Sequence, residues 1–499
     1  MTELPHAYPS RKRPLYRFLP AVLLLILLLT HLPFLFSDPG THVDIHTRGA
    51  WTDEGLYAAQ TRNFLLTGSF GLQENSTMIR GPLFSLLQLP FFAAVGTYLW
   101  LARLVVLIVF LLSLFLLSTG KTMKTVMVVL LVTTATQFHL FSFSHYAMAE
   151  MVCIALILLA ALCVSKVFGA ERGAVSLKMI FLSSFLLFLA YGMKIQYLYV
   201  ATLVPATLCV WWLMLPGQQR FKAFYMSAVI AVILFAAYVL LWYLPNKGFY
   251  DYVMLRESGS RFPVSAVDLW NSAVFNWRNI IWIPALKGLF LLFFVSLLLR
   301  IALLSSLQGI AGKLQPVIVF GILWILLELH KLPMTYLPHR YLLPLYAAVG
   351  FVTSLWLSML LRQRKMWRYA TIMLITGIVI WNGTFLYESY MRRTKDLQQV
   401  SDYLSSKELQ GKTVIGPWAP SVTWKTKART LPVWQGFLND EAVMDADVVI
   451  TEVDQEDSDA SYHYEGYSLE SMADSVRYFT VWRYELAVYW MHGKPSADF

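Results

Sequence analysis

Trp51-Thr-Asp-Glu-Gly-Leu-Tyr57, with the segment that runs on to Arg80-Gly-Pro82, sets two adjacent carboxylates, Asp53 and Glu54, at the start of a helix-like run (Leu56, Ala59, Phe64, Leu65) just after the first long apolar segment. Acid is scarce in this chain. Only 14% of its 499 residues are charged and 57% are hydrophobic, against roughly 45–50% apolar in soluble domains. Such a composition belongs to a chain that crosses a bilayer many times. It puts Asp53 and Glu54 where a loop returns to the membrane surface, at the mouth of whatever the helices enclose.

The formal charge of +10 does not point to nucleic acid. Lys and Arg stand in short clusters between apolar runs, where topology accounts for them, and no basic stripe interleaves with aromatics on a soluble face. Cys153, Cys163 and Cys209 fall inside apolar runs, where cysteine packs as a small hydrophobe, so neither a disulfide nor a metal site is expected of them. Arg11, Lys12, Arg13 and Arg17 precede the apolar run Phe18–Phe36 in the charge order of a signal peptide. The run is too long for one and no small-residue cleavage site follows, so it reads as a retained first helix.

A spanning helix needs about 20 mainly apolar residues, and about eleven segments are candidates. They are Phe18–Phe36, Leu99–Ser118, Val126–Ser142, Ala147–Val167, Met179–Tyr191, Gln196–Leu215, Phe224–Leu244, Pro284–Leu304, Val317–Leu329, Tyr341–Leu361 and Tyr369–Tyr387. With residues 1–17 as a cytoplasmic tail, the basic connections fall on the cytoplasmic side, as the positive-inside rule requires. Those connections hold Lys121 and Lys124; Lys166, Arg172 and Lys178; Arg220 and Lys222; Arg300 and Lys313; and Arg362, Arg364, Lys365 and Arg368.

Residues 18–388 thus form an all-α polytopic membrane domain with two long external loops. The first, 37–98, contains Leu83–Val95, too short to span and read as a helix lying in the interface. The second, 245–282, carries Lys247, Arg256, Arg261 and Arg278 among aromatics. From Glu388 onward the composition becomes that of a small soluble domain, 389–499, outside the cytosol and of α/β or α+β type. In it Lys395–Ser406 reads as a helix, Thr413–Ile415 and Asp447–Thr451 as strands, and Val476–Tyr489 as one or two more. The plasma (inner) membrane is the expected location, with the ER membrane as the alternative. Asn75-Ser-Thr77 is a glycosylation triplet on the external side.

Ionisable groups at membrane depth cost about 2.5–3.5 kcal/mol on insertion scales and mark function by default. Asp53 and Glu54 suit either helix N-capping or a general base that takes the proton of an attacking hydroxyl, with a metal-binding acid pair as a weaker option. Glu150, early in the fourth apolar segment, reads as a buried acid facing Asp53. Lys194 could snorkel, yet Arg80, Lys194 and Arg340 would all reach the same external boundary. Cations opposite a pair of acids are what a phosphate leaving group and an attacking hydroxyl together require, and the arginine fork can grip two phosphate oxygens. His42, Asp44 and His46 alternate in a way that permits a divalent metal without indicating one; His330 and His339 read as loop support. No glycine-rich nucleotide loop and no Gly-x-Ser-x-Gly elbow is present, so a nucleotide-linked substrate lacks a visible site and no cofactor is expected.

These residues resemble a known pattern. The chain is similar to the membrane glycosyltransferases of the C-type fold, in the superfamily of protein O-mannosyltransferases and lipid A aminoarabinose transferases, from Phe18 to about Leu361 in order and spacing and more loosely beyond. Asp53-Glu-Gly-Leu-Tyr57 resembles the family's Asp-Glu-x-x-Tyr, and Arg80-Gly-Pro82 its Glu-Lys-Pro-Pro segment. Arg103-Leu-Val105 is similar to an Arg-Leu helix start, and Glu150 to an acid opening the fourth helix. Lys194 matches the lysine of a Thr-Lys-Gly segment, and Arg340-Tyr-Leu-Leu-Pro344 an Arg-Tyr-x-x-Pro.

The resemblance implies a hexosyl- or pentosyltransferase. Its donor would be a polyprenyl-phosphate-linked sugar, its acceptor a protein, lipid or glycan outside the cytosol, and its outcome inversion. Asp53 would be the base and Glu54 its neighbour holding the loop, with Glu150 the further acid on the catalytic side. Arg80, Lys194 and Arg340 would bind the lipid phosphate, and Tyr57, Arg62, Arg103, Tyr341, Arg256 and Arg261 would be further cavity candidates. Leu56 stands where many members carry arginine, and Arg62 is a possible substitute. A multispan transporter or lipid flippase is the alternative, but no internal repeat supports it; a non-enzymatic assembly or receptor subunit is a further one.

Overall fold

A computed structural model describes residues 15–40, 48–120, 123–168, 175–258, 261–302, 304–363, 365–433, 438–439, 441–453 and 468–492. Arg11, Lys12, Arg13, Lys121, Arg172, Arg364 and the His42, Asp44 and His46 group lie outside the described residues, as do the side chains of Arg17 and Lys313. The molecule is mostly helical. Helix α1 (Leu15–His31) continues into a 3-10 turn, Leu32–Phe36, and α2 (Ala50–Thr67) carries the acidic pair. Gly68 ends α2 at φ +75° and donates to the Phe64 carbonyl, a left-handed cap that glycine adopts without cost. A 3-10 turn (Leu72–Glu74) and the short α3 (Ser76–Arg80) and α4 (Pro82–Val95) follow, so the described part of the first long loop is helical.

The membrane-length run α5 (Leu99–Thr119) precedes the first departure from the expected spans. Val126–Ser142 is not one helix but two, α6 (Met123–Thr133) and α7 (Phe138–Ser144), bent by 97°. Hydroxyls at the break turn inward: Thr133 and Thr136 donate to the carbonyls of Val129 and Val132, and Gln137 caps α7 by accepting from His139 and Leu140 N–H. Side chains that bond locally to the backbone compete with a continuing helix. Next come α8 (Ala149–Val164) and α9 (Leu177–Met193), only 16 and 17 residues long. At 1.5 Å per residue α8 spans about 24 Å, short of a hydrocarbon core of roughly 30 Å; all of it but Leu159 is buried in protein.

After α9 the chain passes through Lys194 into a 3-10 segment, Ile195–Thr202, and α10 (Leu203–Met214). The long α11 (Gln218–Tyr238) leads through a π turn, Val239–Tyr243, to α12 (Lys247–Ser258), and α13 (Ala266–Trp282) follows, so the second long loop is also helical. The remaining bundle is α14 (Pro284–Ala302), α15 (Leu304–Glu328), α16 (His339–Leu360) and α17 (Lys365–Met391). Every residue of α16 from Tyr341 to Leu360 is buried, which makes it the axis of the bundle. By length and apolarity seven helices among the described residues can cross a membrane, or eight if the bent pair counts as one span, in place of the eleven expected. The short α8, buried in protein, and the short α9, which exposes Leu177, Phe181 and Leu182, account for part of the difference.

Beyond the bundle, α18 (Asp396–Ser405), β1 (Thr413–Ile415), α19 (Ala419–Val422), β2 (Arg429–Leu431), β3 (Val448–Glu452), α20 (Leu469–Met472), β4 (Ala473–Val481) and β5 (Tyr484–Met491) form a mixed α/β unit. Its sheet order is β2-β1-β3-β5-β4, with β1 parallel to both β2 and β3 and the other pairs antiparallel. This unit sits directly on α2. Trp51 stacks on Trp482 (5.7 Å between centroids), Asn63 exchanges two hydrogen bonds with the Thr430 backbone, and Ser421 Oγ donates to the Thr52 carbonyl at 2.9 Å. Gly55 lies so close to Pro420 that a Cβ there would overlap the proline carbonyl. Gly55→Ala is accordingly expected to cost about 1–3 kcal/mol through overpacking, read as a lower thermal midpoint and easier proteolysis within residues 389–499.

Candidate active site

Asp53 sits in the first turn of α2 and pairs with Arg340, from the first turn of α16, at 2.9 Å. Lys194 stands at the seam between α9 and the 3-10 segment, where the backbone is extended. Its Nζ donates to Glu150 Oε1 at 2.5 Å, with both side chains buried. The Lys194 ammonium also lies 5.2 Å from the ring centres of Tyr57 and of Tyr341, where the aromatic faces favour a cation. Gly81 holds this arrangement together, because a Cβ there would collide with the Met193 carbonyl next to Lys194. Arg80 is aimed by its own short helix, donating from Nε to the Ser76 carbonyl and from Nη2 to Ser76 Oγ, both at 2.9 Å.

Arg80, Glu150, Lys194, Arg261, Arg340 and Tyr341 line one cavity of about 180 Å³. Arg261 bonds the Tyr341 hydroxyl at 3.2 Å. Tyr57 lines an adjoining recess with Arg80 and Lys194, and burial pushes its phenol well above the ordinary range. The Oε2 oxygen of Glu150 is buried with no hydrogen-bond partner, so the cavity keeps an acceptor in reserve beside its cations.

Glu54, Arg103, Arg62 and Arg256 are placed elsewhere. Glu54 is buried in a bidentate pair with Arg103 (2.8 and 2.6 Å) and also accepts from Ala147 N–H. Arg103 spends its remaining fork on the carbonyls of Phe34, Leu35 and Ser37. This pair fixes α2 against α5 and the start of α8, away from the cavity. Arg62 does not stand in for a cavity cation: it is buried under the sheet unit, donating to Thr423 Oγ1 at 2.9 Å and the Thr423 carbonyl at 2.8 Å. Arg256 is exposed on α12 over Tyr252. Asn75 is also unavailable for glycosylation, being 1% exposed and engaged with the Leu56 carbonyl and Thr77 N–H.

A cation that the sequence pattern did not single out joins the cavity. Lys331 lines it too, held by Glu328 at 2.7 Å, by the Tyr199 hydroxyl and by the Tyr341 carbonyl, both at 3.1 Å. The signal was an acid and a lysine three residues apart in Glu328-Leu-His-Lys331, at the end of an apolar run. His330 is a further lining residue, and His339 contacts the Tyr346 hydroxyl at 3.2 Å. Among the described residues no three His, Cys, Asp or Glu side chains converge as a metal site.

The chain superposes on ArnT from Cupriavidus metallidurans bound to undecaprenyl phosphate with a TM-score of 0.57 at 11% identity, covering 94% of this chain and 97% of that one. The chain has the C-type glycosyltransferase fold. The archaeal oligosaccharyltransferase AglB from Archaeoglobus fulgidus, in complex with an inhibitory peptide and a dolichol-phosphate, is also similar, with a TM-score of 0.54, 11% identity, and 89% and 70% of the two chains covered. No family model and no curated protein matches the sequence. The C-type fold is that of a polytopic membrane protein, and at this level of identity the likeness lies in the path of the chain. What chemistry the fold carries here is decided by the cavity's own residues.

Proposed function

We propose that this chain is an integral membrane glycosyltransferase that moves a sugar from a polyprenyl-phosphate donor to a hydroxyl-bearing acceptor on the non-cytosolic face of the membrane. The observation that carries this reading is the gathering of Arg80, Lys194, Arg261, Lys331 and Arg340 around one cavity, with Asp53 paired to the last of them. Five cations set against the three acids that pair with them, Glu150, Glu328 and Asp53, leave a net positive cavity that suits an anionic ligand, and a lipid-linked phosphate can reach it from within the bilayer. The structural neighbours point the same way, since one holds undecaprenyl phosphate and the other a dolichol-phosphate.

In this reading the donor phosphate lies among Arg80, Lys194 and Arg340. It takes over part of Arg340's charge from Asp53, which leaves the carboxylate to accept the proton of the acceptor hydroxyl. The deprotonating oxygen attacks the anomeric carbon from the face opposite the phosphate, the carbon–oxygen bond to phosphate breaks, and polyprenyl phosphate departs with the bonding pair. One displacement inverts the anomeric centre. Positioning the two reacting atoms about 3–3.5 Å apart supplies much of the acceleration, and fixed cations at the departing phosphate supply more. Glu150, through its unpartnered Oε2, serves as an acceptor for a sugar hydroxyl once the ligand draws it into the cavity.

Mass spectrometry of products, after incubating the purified protein with polyprenyl-phosphate sugars and candidate acceptors, tests the proposal. The expected result is a new glycoside with release of polyprenyl phosphate; translocation of the donor with no covalent change would favour a flippase instead. Because side chains provide the charge neutralisation in this scheme, transfer is expected to persist in excess chelator, and its loss under chelation with restoration by a divalent cation would refute that part.

A further inference from the structure

A second cavity, of about 130 Å³, lies where the sheet unit meets the rim of the bundle. Its wall is an aromatic ladder: Phe36 stacks on Trp100 at 6.2 Å and Trp100 on Tyr98 at 6.0 Å, with Phe36 and Tyr98 exposed. On the sheet side two buried polar atoms without hydrogen-bond partners belong to residues that line the same cavity, Trp424 Nε1 and Ser401 Oγ. Buried polar groups are almost always paired, so such atoms call for a ligand or a water.

The charged groups here are already engaged. Arg103 is taken by Glu54 and backbone carbonyls. Lys425 pairs with Asp402. Asp38 accepts from Thr394 Oγ1 and from the backbone N–H groups of Asp396 and Leu397. The cavity therefore offers flat aromatic faces and neutral hydrogen-bonding groups with no charge to spare, a combination that suits an uncharged polyol better than a phosphate.

We infer that this cavity is a saccharide-binding site, in which one pyranose ring packs its apolar face against the ladder that Trp100 holds together, and its hydroxyls take up Trp424 Nε1 and Ser401 Oγ as those two side chains turn toward it. The saccharide is either a free glycan or the sugar of a glycolipid whose tail stays in the membrane. The site is separate from the cavity around Lys194 and Arg340 and binds whether or not the chain transfers sugar, so failure of one reading leaves the other standing.

The test uses the full chain in phosphatidylcholine nanodiscs, free of glycoside detergents, and saturation-transfer NMR with neutral methyl pyranosides. The expected result is saturation of ring protons by the wild type. Binding should weaken at least tenfold in Trp100→Ala and in Trp424→Phe, which keeps the ring and removes the donor, and should be unchanged in Arg340→Ala. Repeating the measurement with the same sugars as membrane-embedded alkyl glycosides separates the two sources, the glycolipid arm giving the tighter binding if the tail contributes. Absence of saturation in the wild type, saturation that survives both tryptophan changes, or its loss in Arg340→Ala would each overturn the inference. So would displacement of the pyranosides by anionic phospholipid, which would assign the cavity to a headgroup.

Discussion

Asp53→Asn is expected to slow sugar transfer by about 10²- to 10⁴-fold, the usual contribution of a positioned general base, while binding of polyprenyl phosphate persists. The amide keeps the size and one acceptor oxygen of the carboxylate. It cannot take a proton, and it no longer neutralises Arg340, 2.9 Å away in the native pair. Donor affinity should thus hold or rise as turnover falls. Single-turnover product analysis alongside a binding isotherm for polyprenyl phosphate separates the two effects. Ordinary turnover by the Asp53→Asn protein would remove Asp53 as the base, and joint loss of binding and turnover would make it a structural partner of Arg340.

The second large effect belongs to its neighbour and has a different character. Glu54→Ala leaves the Arg103 guanidinium buried with only backbone carbonyls for partners, and breaking a buried ion pair by removing one member costs roughly 3–5 kcal/mol. The expected result is a marked fall in unfolding midpoint and in yield, with the correctly folded fraction retaining most of its activity per molecule. Replacing Arg103 with Leu in the Glu54→Ala background should recover part of the stability, because two uncharged residues leave no unpaired ion. A stable Glu54→Ala protein with no activity would instead place Glu54 in the reaction.

The contrast between these adjacent acids marks how far the sequence could be read. Composition and apolar run length identify a membrane bundle with a soluble tail, and Thr413–Ile415 is a strand as expected. Asp53, Arg80, Glu150, Lys194 and Arg340 come together because each stands at or near the end of a helix, a property visible as a polar residue where an apolar run starts or stops. Side-chain direction is another matter. Successive residues on a helix point about 100° apart, so Asp53 reaches Arg340 while Glu54 reaches Arg103, and no spacing rule says which of the two pairs with a cavity-lining residue. Arg62 and Arg103 are spoken for by carbonyls of distant segments, which pairing arguments within a short window cannot see. The break between α6 and α7 was hidden for a similar reason, since hydropathy averages over Thr133 to Gln137 without registering that their side chains bond to the backbone.

The sheet unit grips α2 along one side, through Trp51, Gly55 and Asn63, while the ion pairs of Asp53 and Glu54 tie the same helix to the bundle on the other. The tail is therefore no appendage that can be trimmed away. It forms one jaw of a vice around α2, and a force or a partner that shifts the sheet unit by a small amount is transmitted to the helix that carries Asp53.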